Sequence, residues 1–176
     1  GTFVQTVDIK LPGDFAPIGA EWKFAGTYDG QNFSLTGMNR TEAIDNFGLF
    51  RNNAGTVKNV VIKDSKIVSK GYCAGIAAKN DGTIINCISY MDLEVTAKGY
   101  VGGIVGQHNK GTISKCQFHG TIKVTADGLT GGITGASYDG SVVEYCLNTG
   151  VINSATGNVG GIVGRCRGIT RGCKNT

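Results

Sequence analysis

The chain is 176 residues long, enough for one domain with a continuous core. Its 40% apolar and 17% charged content excludes a disordered tail or a charged nucleic-acid arm, and the net charge of +4 comes from scattered basic residues, which form a solvated surface rather than a phosphate track. Glycine, at 29 residues against 2 prolines, excludes a protein of long helices, because each interior glycine costs about 1 kcal/mol relative to alanine.

In chain order, the first expected strand opens at once, in Gly1-Thr2-Phe3-Val4-Gln5-Thr6-Val7. No stretch approaches 18 apolar residues, so no membrane span is expected, and no leader is visible, so the chain is expected to be a processed or excised piece. Strand-like segments follow at Gln5–Leu11, Phe15–Gly19 and Phe24–Leu35, and a Gly-Leu-Phe block lies at Phe47–Phe50. From there the chain repeats itself. A lead block reads Ala54-Gly55-Thr56-Val57-Lys58-Asn59-Val60, then Asp81-Gly82-Thr83-Ile84-Ile85-Asn86-Cys87, Lys110-Gly111-Thr112-Ile113-Ser114-Lys115-Cys116 and Asp139-Gly140-Ser141-Val142-Val143-Glu144-Tyr145-Cys146. A fifth copy starts at Gly168 and stops after Cys173. The lead glycines are 27, 29, 29 and 28 residues apart, and the extra residue near Val143 reads as a bulge. A second block follows each lead block: Cys73-Ala74-Gly75-Ile76, Val101-Gly102-Gly103-Ile104-Val105-Gly106, Thr130-Gly131-Gly132-Ile133-Thr134-Gly135 and Val159-Gly160-Gly161-Ile162-Val163-Gly164. Between the two lies a third apolar stretch, such as Leu93-Glu94-Val95 or Ile122-Lys123-Val124.

Three short stretches per period of about 28 residues, with no run at helical spacing, predict an all-β fold. The expected form is a parallel β-helix (a β-solenoid) with three short strands per coil, right-handed by the crossover rule. It forms a single domain over 1–176, with irregular lead-in coils at 1–50, regular coils at 51–167 and an incomplete last coil at 168–176. Two inward columns are expected, Val57, Ile84, Ile113, Val142 and Ile76, Ile104, Ile133, Ile162. Cys87, Cys116, Cys146 and Cys173 share a position with Val60, which predicts small, buried, free thiols rather than bridges. Cys73 aligns with Val101 and is expected in the core, whereas Cys166 lies in a turn.

The Gly-Ile-Val-Gly and Gly-Leu-Phe blocks, each followed by a Gly-Thr-Ile-x-Asn-Cys-like block, resemble GLUG-motif repeats. Such repeats occur in bacterial surface adhesins, filamentous-haemagglutinin-like proteins and non-catalytic parts of IgA1-protease-type proteins. The resemblance covers nearly the whole chain and departs at Phe50-Arg51 and Ala77-Ala78, where the motif's last glycine is missing. It implies a scaffold and not a reaction.

Candidate chemistry is sparse. Asp64, Asp92, Asp81 and Asp139 read as turn and surface residues, because no column carries two adjacent carboxylates. No metal or cofactor site is expected, since the only histidines, His108 and His119, fall in different parts of the coil. Thr56, Thr83, Thr112 and Ser141 form a hydroxyl column. Tyr72 and Tyr100 stack as a candidate surface contact; exposed aromatics can hold a sugar face, but Leu129 and Asn158 end the run after two, so a ladder stabilising the coil is the expected role. Neither chain end shows a cap, so Phe3, Val4, Val7, Ile169 and Cys173 are candidates for end-to-end contact. The expected function is a non-enzymatic, structural or adhesive module of a bacterial surface or secreted protein, extracellular or on the cell surface. Its expected partners are flanking domains or other protein chains, and not nucleic acid. A subunit stacked head-to-tail into a filament is the alternative, and a carbohydrate-binding or carbohydrate-active solenoid the third.

Overall fold

The computed structural model describes residues 1–176, and the side chains of all of these except residues 42 and 43. Among the described residues the chain holds 28 short strands and no helix. They wind into a parallel β-solenoid of about six turns of about 29 residues.

Each regular coil has three walls. The lead block forms one wall of two seven-stranded ladders, which pass through Thr56–Lys58 and Val61–Ile62 and then Thr83–Ile85 and Ile88–Ser89. The middle stretch forms a five-stranded ladder through Lys66–Ser69, Asp92–Val95 and Thr121–Val124. The Gly-Gly block forms an arch of two ladders, through Tyr100–Gly102 and Val105–His108. The three expected stretches are thus three walls, two of which fold in the middle to make five ladders.

The lead wall bends where one residue takes a left-handed conformation: Asn59 (φ 55°), Asn86 (53°), Lys115 (55°) and Tyr145 (53°). Asparagine enters this region more readily than most residues, and its amide can bond locally. Here it bonds between coils. Asn86 Nδ2 donates to Asn59 Oδ1 (2.8 Å), and Asn59 Nδ2 donates to Asp29 Oδ1 (2.9 Å). The bond from Asn59 is the main reason the Asp29 carboxyl drops to about 2.

Two glycines show why the arch is glycine-rich. A Cβ on Gly103 would lie 2.1 Å from the Phe118 ring on the opposite wall and 2.4 Å from the Gly132 carbonyl oxygen of the next coil. A Cβ on Gly135 would lie 2.6 Å from both Leu129 O and Val101 N, because the two arms of the arch lie against each other. The motif therefore marks backbone approach across and within the coil. The departures keep regular pairing all the same. Ala78 is fully buried, and its strand Ala77–Asn80 is in register with strands on both sides, through Ala77 on Val105 and on Phe50.

The core runs up the middle as in-register columns. Tyr28, Val57, Ile84, Ile113 and Val143 form one, and Ile67, Leu93, Ile122 and Ile152 another. Ile76, Ile104 and Ile133 are fully buried, and each backbone carries on to the next through Ile76 N–H to Ile104 O and Ile104 N–H to Ile133 O.

The expected inward residue Val142 is corrected to Val143. Val142 pairs with Thr112 and is half-buried on the outer side, whereas Val143 pairs with Ile113 and is fully buried. The extra residue is not a bulge at Val143. It is taken up at the corner between arch and lead wall, which holds two residues between Asn80 and Thr83, three between His108 and Thr112 and four between Ser137 and Val142. Ile162 and Cys173 are half-buried rather than buried, because they belong to the last coil and are covered from one side.

That same corner carries a buried polar column. Asn53, Asn80, His108 and Ser137 are in register and almost wholly inaccessible, and Cys166 continues the column in the open. Asn53 Nδ2 donates to Asn80 Oδ1 (2.6 Å), and Asn80 Nδ2 lies 3.1 Å from His108 Nδ1. Each asparagine also bonds the backbone two residues ahead, Gly55 or Gly82. Since the Asn80 amide donates, His108 Nδ1 accepts, so the neutral ring carries its proton on Nε2 and donates to Val142 O (3.3 Å).

Candidate functional site: the outer surface

The cysteines lie inside. All six are free thiols: Cys73, Cys87, Cys116 and Cys146 are buried, Cys173 is half-buried and Cys166 exposed. In the stacked column each thiol donates to the carbonyl two residues back, Cys87 to Ile85 (3.4 Å), Cys116 to Ser114 (3.3 Å) and Cys146 to Glu144 (3.3 Å). Burial pushes the Cys73 thiol up to about 12 and raises Cys116 well above its ordinary value. Contact with Cys116 and then burial raise Cys146. Thiols held protonated in this way are poor nucleophiles.

The outer aspartates separate into two places. Asp81 pairs with Lys23 and accepts from Asn109 Nδ2 (2.8 Å), and Asp139 is an exposed turn residue. Asp64 and Asp92 both line a cleft at the corner between lead and middle walls. Among the described residues no three His, Cys, Asp or Glu side chains come together around one metal position. His108 lies in the interior, and His119 on the outer corner.

The hydroxyl column is longer than expected in one direction and ends sooner in the other. Thr2, Thr27, Thr56, Thr83 and Thr112 are in register, but the next residue is Val142, because Ser141 pairs with Gly111 instead. Tyr72 and Tyr100 do meet, edge to face at 4.9 Å. Lys79 lies 4.5 Å over the Tyr72 ring, and Tyr138 OH donates to Tyr100 OH (3.2 Å). The edge-to-face pair is a short ladder between coils, and Tyr100 also lines a cleft with Lys98, Asp127 and Arg165. The end residues Phe3, Val4, Val7 and Ile169 are all exposed, and Phe3 leans on Phe24 (5.9 Å).

The feature absent from the sequence-based expectations is the column Lys63, Tyr90, His119, Thr149, each three residues after Val60 or one of the stacked cysteines. Tyr90 is 44% exposed, and its ring stacks on His119 at 5.0 Å and 26°. His119 is held in turn by Thr149 Oγ1 (2.6 Å) and Gln117 Oε1 (3.0 Å). The cleft of about 470 Å³ lies toward the preceding coil, between Lys63, Asp64, Ser65, Tyr90 and Asp92.

The chain matches no known family, no curated protein and no solved structure in these three comparisons.

Sequence reasoning passed over Tyr90 because its column holds four different residue types. The constant three-residue offset from the cysteine position was the available signal.

Proposed function

We propose that the chain is a structural and adhesive β-solenoid module of a bacterial surface or secreted protein, acting by rigid display and not by catalysis. The observation that carries this reading is the unbroken register of the lead-wall ladders through seven strands each. A solenoid paired in this way is a stiff rod of about 30 Å for six coils at an inter-strand spacing of about 4.8 Å, and its turn and wall residues repeat along the axis as a display surface. The likeness of the Gly-Ile-Val-Gly blocks to GLUG repeats supports a surface or secreted setting. Asp81, ion-paired with Lys23, and Asp139, on an exposed turn, fit surface and turn roles.

Negative-stain microscopy of the purified chain tests the reading, which predicts single short rods. End-to-end fibres would replace it with the filament reading. That alternative is favoured by the apolar residues exposed on the first and last coils, Phe3, Val4, Val7 and Ile169, which a second copy stacked end to end would cover.

A further inference from the structure

We propose that the cleft beside Tyr90 binds a neutral glycan, with the apolar face of one pyranose ring on Tyr90 and its hydroxyls on Asp64 and Asp92. The inference rests on the adhesive reading above and gives it a ligand class. Four observations carry it.

First, Tyr90 is a large aromatic residue left 44% exposed beside a cleft; Tyr145, at 59%, is more exposed but, among the described residues, lines none of the clefts. Secondly, its ring is fixed. His119 stacks on it at 26°, and Thr149 and Gln117 hold His119 on its two ring nitrogens. A ring held on one side and open on the other is a preorganised platform for the C–H face of a sugar, with little side-chain freedom left to lose.

Thirdly, the groups around that platform suit hydroxyls. Asp64 and Asp92 are acceptors and Lys63 is a donor. Among the described residues Asp64, held at φ 43°, takes part in no ion pair, and Asp92 spends one oxygen on the Thr121 N–H and has no second partner. Hydrogen bonds from neutral hydroxyls to ionised carboxylates are among the stronger kind. Two carboxylates against one ammonium disfavour an acidic sugar at Tyr90, so the residue on the ring is a neutral one.

Fourthly, the cleft is not closed off. A second one of about 160 Å³, lined by Lys66, Glu94 and Lys123 on the middle wall, meets it at Asp92. A chain of sugars can therefore continue beyond the residue on Tyr90, which favours an oligosaccharide over a free monosaccharide.

Protein-observed NMR titration of the whole chain tests the proposal. The probes are cellotetraose, chitotetraose and mannotetraose, with tetragalacturonate as the acidic comparison. At least one neutral probe should bind with a Kd of about 0.1–1 mM and shift the amides of Asp64, Tyr90 and Asp92. Tyr90→Ala should weaken it by about tenfold or more, and Tyr90→Phe, which keeps the ring, by less than about threefold. Since Tyr90 is exposed, the melting temperature should stay within about 2 °C of the parent for both variants, so lost binding is not lost fold. No binding by any neutral probe up to about 10 mM, unchanged affinity in Tyr90→Ala, or a preference for tetragalacturonate would each overturn the proposal. A chain that forms short rods but binds no probe loses this site and keeps the module reading.

Discussion

Two kinds of column run through the inside of this solenoid, and they obey different rules. In the column of Val57, Ile84, Ile113 and Val143, every rung is apolar and each needs only the right size and a dry neighbour. In the corner column of Asn53, Asn80, His108 and Ser137, every rung is polar and is tied to the rung beside it or to the turn that follows. The apolar columns supply most of the hydrophobic driving force. The polar column occupies the corner between arch and lead wall, which lengthens from two to three to four residues over successive coils, and where backbone groups would otherwise be buried without partners. The difference teaches that an apolar rung is set by size alone, whereas a polar rung is set by the partners it bonds on the next coil and in the turn after it.

The sharpest break falls on an apolar column. Ile104→Asp places a carboxylate at a fully buried rung, and it should cost more than about 4 kcal/mol, a large share of a margin of about 5–15 kcal/mol. Lys98→Asp, on an exposed turn, should stay within about 0.5 kcal/mol. Urea melts of the two variants decide it, and similar midpoints would mean that the interior is wrongly placed.

The polar column should break less severely but more specifically. Asn80→Leu is buried and apolar, yet it removes the partners of Asn53, His108 and Gly82 together. At about 1–3 kcal/mol for each orphaned group, and less than additively, a loss of about 3 kcal/mol is expected by urea unfolding. A neutral or stabilising Asn80→Leu would show that these bonds are incidental.

How much of this was legible in the residues alone follows from the same contrast. The apolar walls stack like on like, so Thr56-Val57, Thr83-Ile84 and Thr112-Ile113 announce both the repeat and its inward face. Reading failed at Val142, where two valines stand side by side and the preceding turn is longer by one residue than in the coil before, so either valine fits the pattern. The polar corner was illegible for a stronger reason. Asn, Asn, His and Ser share no hydropathy signal, and the turn after them changes length. Tyr90 and His119 were hidden likewise, in a column whose members share only an offset.

The smallest expected effect belongs to His108. Burial holds its ring below the ordinary histidine value of 6.5, even though its bond to Val142 and the nearby Asp81 charge act the other way. The unfolded chain takes up a proton near pH 6.5 while the folded chain does not, so stability is fully present above about pH 6.5 and falls as the pH drops below it. The fall levels off once the folded ring is itself protonated. His108→Asn, which continues the Asn53–Asn80 pattern, should remove this part of the pH dependence. An unchanged slope between pH 6.5 and 5 would place the titration elsewhere.

The central claim is that the repeat stacks in register as parallel coils, with one cysteine column inside. Alkylation of the native chain, followed by peptide-resolved mass spectrometry, tests it most directly. Cys166 should label first and Cys173 more slowly, while Cys73, Cys87, Cys116 and Cys146 should label only on unfolding, all six as free thiols. A disulfide between any two stacked cysteines, or labelling of Cys87 and Cys116 as fast as Cys166, would contradict the account.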